Sequence, residues 1–189
     1  MRKQKMKQKM NTRTLAFSAL LAALSVVLAR LVIPMPAADT RFSIEAVPIF
    51  LAGMLFGPVP GALVGFAADF VGCLFSPYGY NPLFSLPPIL YGLTAGLLSG
   101  FLCAKVSPVR IALGFLPPVV LGSILYQSMT LSYMYFDGGL MAGFLYYLTA
   151  RSVQFSITLV LDVVVVYLLC KANIFQRTGV WPAQKRKDI

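Results

Sequence analysis

Six long apolar stretches, separated by short polar or glycine- and proline-rich segments, account for most of this 189-residue chain. A helix needs roughly 20 apolar residues to cross a bilayer, and most of the stretches approach that length. The second is too short to span alone unless the bilayer thins or neighbouring helices line it. The predicted spans are residues 14–33, 45–56, 59–75, 86–104, 109–133 and 144–170. We therefore predict an all-α integral membrane protein that forms a single domain over residues 1–189, with a bundle of six transmembrane helices over residues 14–170.

Glycine and proline mark two irregular points in this pattern. The segment "GPVPG" at residues 57–61 contains no charge and predicts a tight turn between the second and third helices. Pro117 and Pro118 fall inside the fifth stretch. Proline lacks the backbone N–H of a helical hydrogen bond, so the pair predicts a kink or a delayed start in that helix.

Basic residues are concentrated at one side of the predicted membrane. They cluster in the tail at residues 1–13, in the turn at 105–110 and in the tail at 171–189. With six spans, all three segments lie on one side, and the positive-inside rule makes that side cytoplasmic. We therefore expect both termini in the cytoplasm and the protein in the bacterial cytoplasmic membrane. A cleaved signal peptide is disfavoured because the first apolar run exceeds the usual 7–15 residues.

Composition excludes several classes of function. Hydrophobic residues make up 58% of the chain and charged residues 12%, which is typical of a membrane protein. The net charge of +10 lies mostly outside the apolar stretches, so it indicates membrane topology and not nucleic-acid binding. There is no histidine, and the three cysteines are scattered singly, so no metal site is expected.

Three arginines depart from the cytoplasmic clustering and fall towards the outer side. Arg41 lies in the first outer loop and is expected to snorkel or to pair with a nearby acidic residue. Arg30 and Arg151 lie near the outer ends of the first and last helices. Ionisable groups within membrane helices usually mark a substrate path, so these two favour an anionic ligand such as a carboxylate or a phosphate.

Other polar side chains support a pocket. Gln154 follows Arg151 by three residues and shares its helix face, and Gln127 adds an amide within the fifth helix. Asp69 lies in an apolar setting in the outer half of the third helix. It is expected either to pair with an arginine or to accept hydrogen bonds from ring N–H groups of a ligand.

Aromatic residues crowd the outer end of the predicted bundle, where an interfacial belt explains many of them. The loop "SPYGYNPLFSL" at residues 76–86 is constrained and uncharged, which suits a lid over a flat ligand. On the first helix, Ala19 and Ala23 lie four residues apart on one face. This spacing allows close helix packing, either within the protein or against a partner.

These segments resemble the S component, the substrate-binding subunit, of energy-coupling factor (ECF) vitamin transporters, and most of all the folate-specific S component. The likeness runs through residues 41–72 and 76–100, and its most specific part is "LFGPVPGALVGF" followed by Asp69. The segment "ARSVQ" at residues 150–154 is similar to the arginine and glutamine that begin the family's last helix.

The resemblance implies an outward-facing vitamin pocket, with folate or a related anionic vitamin as ligand. Its implied partners are a transmembrane coupling (T) protein, which the Ala19 and Ala23 face would contact, and two ATPase subunits. No cofactor and no enzymatic activity are implied, and the chain carries no phosphate-binding G-K-[ST] loop of its own. The substrate-binding residues expected on this basis are Arg30, Arg151, Gln154, Asp69, Tyr78, Asn81, Phe84, Tyr91 and Gln127.

Three alternatives remain at this point. The first is an S component for another vitamin, such as riboflavin or pantothenate. The second is an integral-membrane enzyme, which the lack of histidine and the different depths expected for Asp69 and Asp162 disfavour. The third is a stand-alone secondary transporter, which often shows internal inverted repeats that are not evident here.

Overall fold

The chain folds into a bundle of α-helices, described by a computed structural model over residues 12–30, 33–34, 41–75, 79–172 and 174–177. Within these residues, the α-helices are α1 (Thr12–Leu28), α2 (Ala46–Phe56), α3 (Pro58–Leu74), α4 (Leu86–Leu97), α5 (Ser99–Ala104), α6 (Pro108–Pro117), α7 (Gln127–Tyr135), α8 (Leu140–Lys171) and α9 (Ile174–Arg177). A 3₁₀ turn at Pro82–Ser85 leads into α4, and a π-helical segment at Pro118–Tyr126 joins α6 to α7. Two-residue strands β1 (Ile33–Pro34) and β2 (Arg41–Phe42) pair antiparallel.

The helices correspond to the six predicted spans. Pro108–Tyr135 and Leu140–Lys171 are long and apolar enough to cross a membrane. Four shorter apolar helices complete the set: Thr12–Leu28, Ala46–Phe56, Pro58–Leu74 and Pro82–Leu97. The predicted all-α bundle is therefore confirmed, with the short β pair as its one addition in the described chain.

The helix boundaries differ from the predicted ones at three places. The first helix ends at Leu28 and not near residue 33, and the last begins at Leu140 and not near residue 144. The predicted fourth span is interrupted at Leu98, between α4 and α5. Hydropathy does not detect such breaks, because the residues on both sides are equally apolar. Of the predicted basic tails at residues 1–13 and 171–189, residues 1–11 and 178–189 lie outside the described part of the chain.

The two central prolines produce a π-helical segment. The π-helical segment begins at Pro118. At its end, the Gln127 N–H donates to the Gly122 carbonyl oxygen, five residues earlier in the chain. Proline has no backbone N–H to donate, and its ring crowds the preceding turn of the helix. A π-helical turn is wider than an α-helical one and so accommodates the proline ring. The predicted irregularity at Pro117 and Pro118 therefore occurs without ending the helix.

The core of the bundle is built around α2. Every residue from Val47 to Phe56 is buried, and the ring of Phe50 stacks on that of Phe115 with centroids 3.8 Å apart. Helix α2 packs against α1, α3, α4, α5 and α8. The large apolar side chains left exposed on the outer helices, such as Leu63 and Val160, form a surface suited to lipid.

Close backbone contact holds α2, α3 and α4 together. A Cβ atom added at Gly92 would overlap the carbonyl oxygen of Gly61, and one added at Gly61 would overlap the Gly92 carbonyl. Only glycine permits this approach between the two helices. The resulting three-helix unit fixes where α3 ends and where α4 begins, and so positions the polar residues described below.

Candidate ligand-binding site

Arg151 is held within the bundle by two hydrogen bonds to the preceding helix. Its Nε donates to the Ser123 carbonyl oxygen at 2.9 Å, and its Nη2 donates to Gln127 Oε1 at 2.6 Å. The guanidinium carbon also lies 5.1 Å from the centre of the Phe155 ring. These contacts fix the orientation of a permanent cation inside the membrane domain.

Tyr91 extends this cluster to α4. Its hydroxyl lies 3.1 Å from Ser123 Oγ, and both residues are buried. Ser123 therefore contacts Arg151 through its carbonyl and Tyr91 through its hydroxyl. Ser123 lies in the π-helical segment and contacts both Arg151 and Tyr91. π-Helical turns occur frequently at functional sites.

A second polar cluster lies where α3 meets the 3₁₀ turn. Ser85 Oγ donates to Asp69 Oδ2 at 2.5 Å and lies 3.1 Å from Tyr80 Oη. The Tyr80 ring meets Phe70 edge to face, with centroids 5.2 Å apart. Asp69 thus lies beside aromatic rings, and the described hydrogen bond of its carboxylate goes to a serine and not to an arginine.

The two clusters are joined by α4. Ser85 immediately precedes that helix and Tyr91 lies within it, so six residues separate them along one helix axis, about 9 Å at 1.5 Å per residue. The Arg151 guanidinium, near Tyr91, and the Asp69 carboxylate, near Ser85, are therefore held at a fixed separation. This arrangement suits an elongated ligand with different chemistry at its two ends.

The loop before α4 is tied to the end of α7. Asn81 Oδ1 accepts from the Leu83 N–H at 3.1 Å, which caps the 3₁₀ turn, and Asn81 Nδ2 donates to Met134 Sδ at 3.2 Å. Phe84 is partly buried within the turn. The predicted contact residue Tyr78 lies outside the described residues.

Arg30 occupies a different part of the bundle from Arg151. Its Nη2 donates to the Gly72 carbonyl at 2.6 Å, near the end of α3, and the side chain is exposed. The described hydrogen bonds of the two arginines share no partner. The side chain of Arg41, expected to snorkel or to pair, lies outside the described part of the chain.

Helix α8 carries a polar stripe below Arg151. Gln154, Thr158 and Asp162 are all buried on it. Asp162 is 1% exposed, and its Oδ1 has no hydrogen-bond partner among the described residues. The sequence analysis places Gln154 on the Arg151 face from its three-residue spacing, and the eleven-residue spacing of Asp162 from Arg151 puts it on nearly the same face.

Ser85 and Ser123 were not among the predicted site residues, although each contacts one of the predicted charges. Serines are common in membrane helices, where they bond to their own backbone, so sequence offered no signal to separate these two from the rest. Among the described residues, no three His, Cys, Asp or Glu side chains group in a way that could hold a metal ion.

Ala19 and Ala23 are both exposed on α1. The face they occupy therefore lies on the outside of the bundle and not in its internal packing. This observation resolves the alternative left open by their spacing in favour of an external surface.

An apolar helix bundle with charged and polar groups gathered in its interior is typical of a membrane protein with an internal polar site. A sequence profile described as "ECF transporter, substrate-specific component" matches residues 13–170. The chain therefore belongs to the substrate-specific components of ECF transporters. No match was found among curated protein sequences.

Two of the solved structures that are similar to this one are S components. The first, described as FolT bound with folic acid, has a TM-score of 0.69 and 29% identity, and the match covers 84% of this chain and 94% of that one. The second, the S component for biotin from an ECF-type ABC transporter, has a TM-score of 0.59 and 20% identity, covering 84% and 91%. The family consists of membrane-embedded binding subunits of transporters, which excludes the enzyme and secondary-carrier alternatives.

Proposed function

We propose that this chain is a folate-binding S component, which captures the vitamin for import by an ECF transporter. The observation that carries this proposal is the likeness to FolT bound with folic acid, at 29% identity over 94% of that chain. The match to the biotin S component, at 20% identity, supports only the shared fold.

The Arg151 cluster suits the glutamate end of folate. That end carries two carboxylates, and a guanidinium binds carboxylates through paired charge-assisted hydrogen bonds. The bonds to Ser123 and Gln127 orient the guanidinium before the ligand arrives. Preorganisation of this kind reduces the entropic cost of binding. Arg30, which follows α1 and bonds to Gly72 near the end of α3, is proposed to contact the ligand from the side of the Asp69 cluster.

The Asp69 cluster suits the ring end of folate. Asp69 offers carboxylate oxygens to ring N–H groups, and Phe70 and Tyr80 supply aromatic surface beside it. Tyr91, Gln127 and Gln154 are proposed to line the space between the two ends. Tyr78, Asn81 and Phe84 are proposed to cover it.

Import requires partners, because this protein binds the vitamin without hydrolysing ATP. S components assemble with a transmembrane coupling (T) protein and two ATPase subunits. We propose that the exposed α1 face with Ala19 and Ala23 contacts the coupling protein, since small side chains let helices approach closely. The pocket is proposed to open on the outer side, with both termini cytoplasmic.

The test is to identify the ligand directly. The protein is purified in mild detergent and denatured, and any released small molecule is identified by absorbance and mass spectrometry. Folic acid is then titrated into the emptied protein by calorimetry, with biotin as the control ligand. We expect stoichiometric binding of folic acid and none of biotin. Recovery of a different vitamin, with no heat from folic acid, would overturn the assignment.

A further inference from the structure

Two residues that hold the Arg151 guanidinium lie at the end of the π-helical segment. That segment runs from Pro118 to Tyr126, and α7 begins at the next residue, Gln127. The Ser123 carbonyl oxygen accepts from Arg151 Nε, and the Gln127 side chain accepts from Nη2. The guanidinium is therefore held where one kind of helix changes into another.

The two kinds of helix differ in which carbonyl each backbone N–H reaches. In an α-helix the N–H donates to the carbonyl four residues earlier, and in a π-helix it donates to the one five residues earlier. The Gln127 N–H follows the π-helical pattern, because it donates to the Gly122 carbonyl oxygen. From Gln127 onwards the helix is α-helical, so the next N–H, that of Ser128, reaches back four residues to Ile124.

This change of spacing passes over the carbonyl of Ser123. That carbonyl lies between Gly122, which accepts the last π-type bond, and Ile124, which accepts the first α-type bond. Ser123 is 2% exposed, and a buried carbonyl that its own helix passes over is costly unless another group donates to it. Arg151 Nε is that donor, at 2.9 Å from a different helix. The end of the π-helical segment thus creates the acceptor that the guanidinium uses.

The prolines at the other end of the segment allow the opposite change of spacing. Where α-type bonding gives way to π-type bonding, one backbone N–H is passed over instead of one carbonyl. Pro117 and Pro118 have no N–H, so the helix leaves no donor unused at these positions. The proline pair therefore favours entry into the π-helical register, and the passed-over carbonyl of Ser123 follows five residues after Pro118.

Contacts with α4 hold the segment in this register. A Cβ atom added at Gly122 would lie 3.3 Å from Leu90 Cδ1 and 3.4 Å from the Pro87 Cα, so the segment packs closely on α4 at this point. The next residue, Ser123, has its Oγ 3.1 Å from the Tyr91 hydroxyl. Conversion of the segment to a regular α-helix would redirect Ser123 and break this contact, so the packing on α4 favours the π-helical register.

We propose that the helical register of the segment Pro118–Tyr126 sets the affinity for the anionic end of the ligand, by leaving the Ser123 carbonyl free to position Arg151. Ser123 is then a positioning residue that acts through its backbone and needs no contact with the ligand. In a regular α-helix the Gln127 N–H would donate to the Ser123 carbonyl, and Arg151 Nε would compete with it for that acceptor. The inference rests on the proposed function, in which Arg151 binds the carboxylates of folate, and deepens it.

The first experiment weakens the carbonyl without changing any side chain. The amide between Ser123 and Ile124 is replaced by an ester, by incorporating the α-hydroxy acid analogue of isoleucine at residue 124 of the full chain. An ester carbonyl is a weaker acceptor than an amide carbonyl, and the ester carries no N–H. The matched control is the ester between Ile124 and Leu125. It also removes one N–H from the segment, but the carbonyl that it weakens bonds within the helix.

Affinity is measured by titration calorimetry for three ligands: folic acid, p-aminobenzoyl-glutamate, which lacks the ring system, and 2-amino-4-oxopteridine, which lacks the carboxylates. We expect the ester after Ser123 to weaken binding of the first two by about 3- to 10-fold, in the range of a single hydrogen bond. The pteridine should bind as before, because it does not use Arg151. The control ester should leave the affinity for all three ligands unchanged.

A double-mutant cycle separates positioning from packing. Arg151→Lys keeps the positive charge but has no N–H at the place of Nε, so it cannot use the Ser123 carbonyl in the same way. The ester after Ser123 should therefore cause no further loss of folic acid affinity in the Arg151→Lys protein. A loss of the same size in both proteins would mean that the carbonyl does not act through Arg151, and would overturn the proposal.

The second experiment changes the register of the helix. Pro118→Ala restores a backbone N–H at the start of the segment and favours regular α-helix. It should weaken folic acid and p-aminobenzoyl-glutamate and spare the pteridine, as the ester after Ser123 does. Pro108→Ala is the control, because Pro108 is the first residue of α6, where a missing N–H costs the helix no bond. Equal folic acid affinity in the two proline variants would overturn the register as the cause.

The remaining outcomes also decide the question. Equal losses from the two esters would make the effect one of the helix as a whole, and an equal loss for the pteridine would place it away from Arg151. Either result would overturn the role of the Ser123 carbonyl and leave the proposed function intact. If the unmodified protein bound no folic acid, the proposed function itself would fail, and that failure is seen before any variant is made.

Discussion

Arg151 of α8 and Gln127 of α7 are directly bonded, Nη2 to Oε1, at 2.6 Å. The pair joins two helices that are adjacent in sequence, and the Ser123 carbonyl bonds to Nε from the same side. A guanidinium held by two acceptors on one neighbouring helix is oriented by the protein itself. Binding of an anionic ligand should therefore depend on both members of the pair.

Arg151→Ala should weaken folic acid binding by about 10- to 150-fold, the equivalent of 1.5–3 kcal/mol for hydrogen bonds to a charged group. The measurement is titration calorimetry on the purified protein. Arg110→Ala is the matched control, because Arg110 bonds to the Phe101 carbonyl at the opposite end of the bundle. Similar losses in both variants would indicate a general effect on folding and would contradict the role of Arg151.

Gln127→Ala should weaken folic acid binding less than Arg151→Ala, because the amide acts by orienting the guanidinium. We expect a loss of about 3- to 10-fold, in the range of a single hydrogen bond. The decisive measurement is a double-mutant cycle with Arg151→Ala. The two losses should not add, since Gln127 has nothing to orient once the arginine is removed. Full additivity would mean that the residues act independently.

Gly92→Ala should destabilise the bundle, because the added Cβ would overlap the backbone of Gly61 and neither backbone can move aside cheaply. We expect a loss of about 1–3 kcal/mol or more, as for other overpacked sites. The midpoint of thermal unfolding in detergent measures it.

Gly100→Ala provides the control for that experiment. A Cβ at Gly100, in α5, would have no heavy atom within 4 Å, and alanine favours helix more than glycine does. Its unfolding midpoint should stay level or rise. A Gly92→Ala variant as stable as Gly100→Ala would show that α3 and α4 are farther apart than described.

Ala19→Trp should leave folic acid binding intact and abolish uptake by the assembled transporter. Ala19 is exposed on α1, so an indole there enlarges the outward-facing surface of the helix bundle without entering the binding site. Binding is measured on the isolated subunit and uptake in vesicles containing the coupling protein and ATPases. Val164→Trp, on the exposed face of α8, should preserve both. Uptake that survived Ala19→Trp would move the docking surface elsewhere.

Much of the fold was predictable because hydropathy is a local property. A run such as residues 109–133 has to form a helix in lipid, whatever its neighbours are, since its backbone groups must bond within the segment. The boundaries were less predictable. The break at Leu98 occurs within apolar or neutral sequence, where packing decides how far each helix extends, and α8 begins at Leu140, directly after Asp137, Gly138 and Gly139.

The candidate site was predicted as a set of residues and not as a geometry. Arg151 and Gln127 were both selected as intramembrane polar groups, but nothing in their positions along the chain indicated the bond between them. Asp69 was expected to pair with an arginine or to accept from a ligand; its described hydrogen bond goes to Ser85, and the contact with a ligand stays a prediction. A serine sixteen residues away becomes its neighbour only because α3 and α4 pack side by side.

The sequence by itself determined that this is a membrane protein with several helices, a few intramembrane charges and no metal-binding motif. The membrane helices and the charges within them are visible in the sequence because lipid makes polar residues costly, so each one stands out from its apolar surroundings. The tertiary structure decided which charges act together. Ser123 of the π-helical segment contacts both Arg151 of α8 and Tyr91 of α4, although these three elements are separate in the sequence. Such proximity depends on how the helices pack against each other. Close glycine contacts, such as that of Gly61 with Gly92, control this packing, and they join residues too far apart in the sequence for a local pattern to indicate.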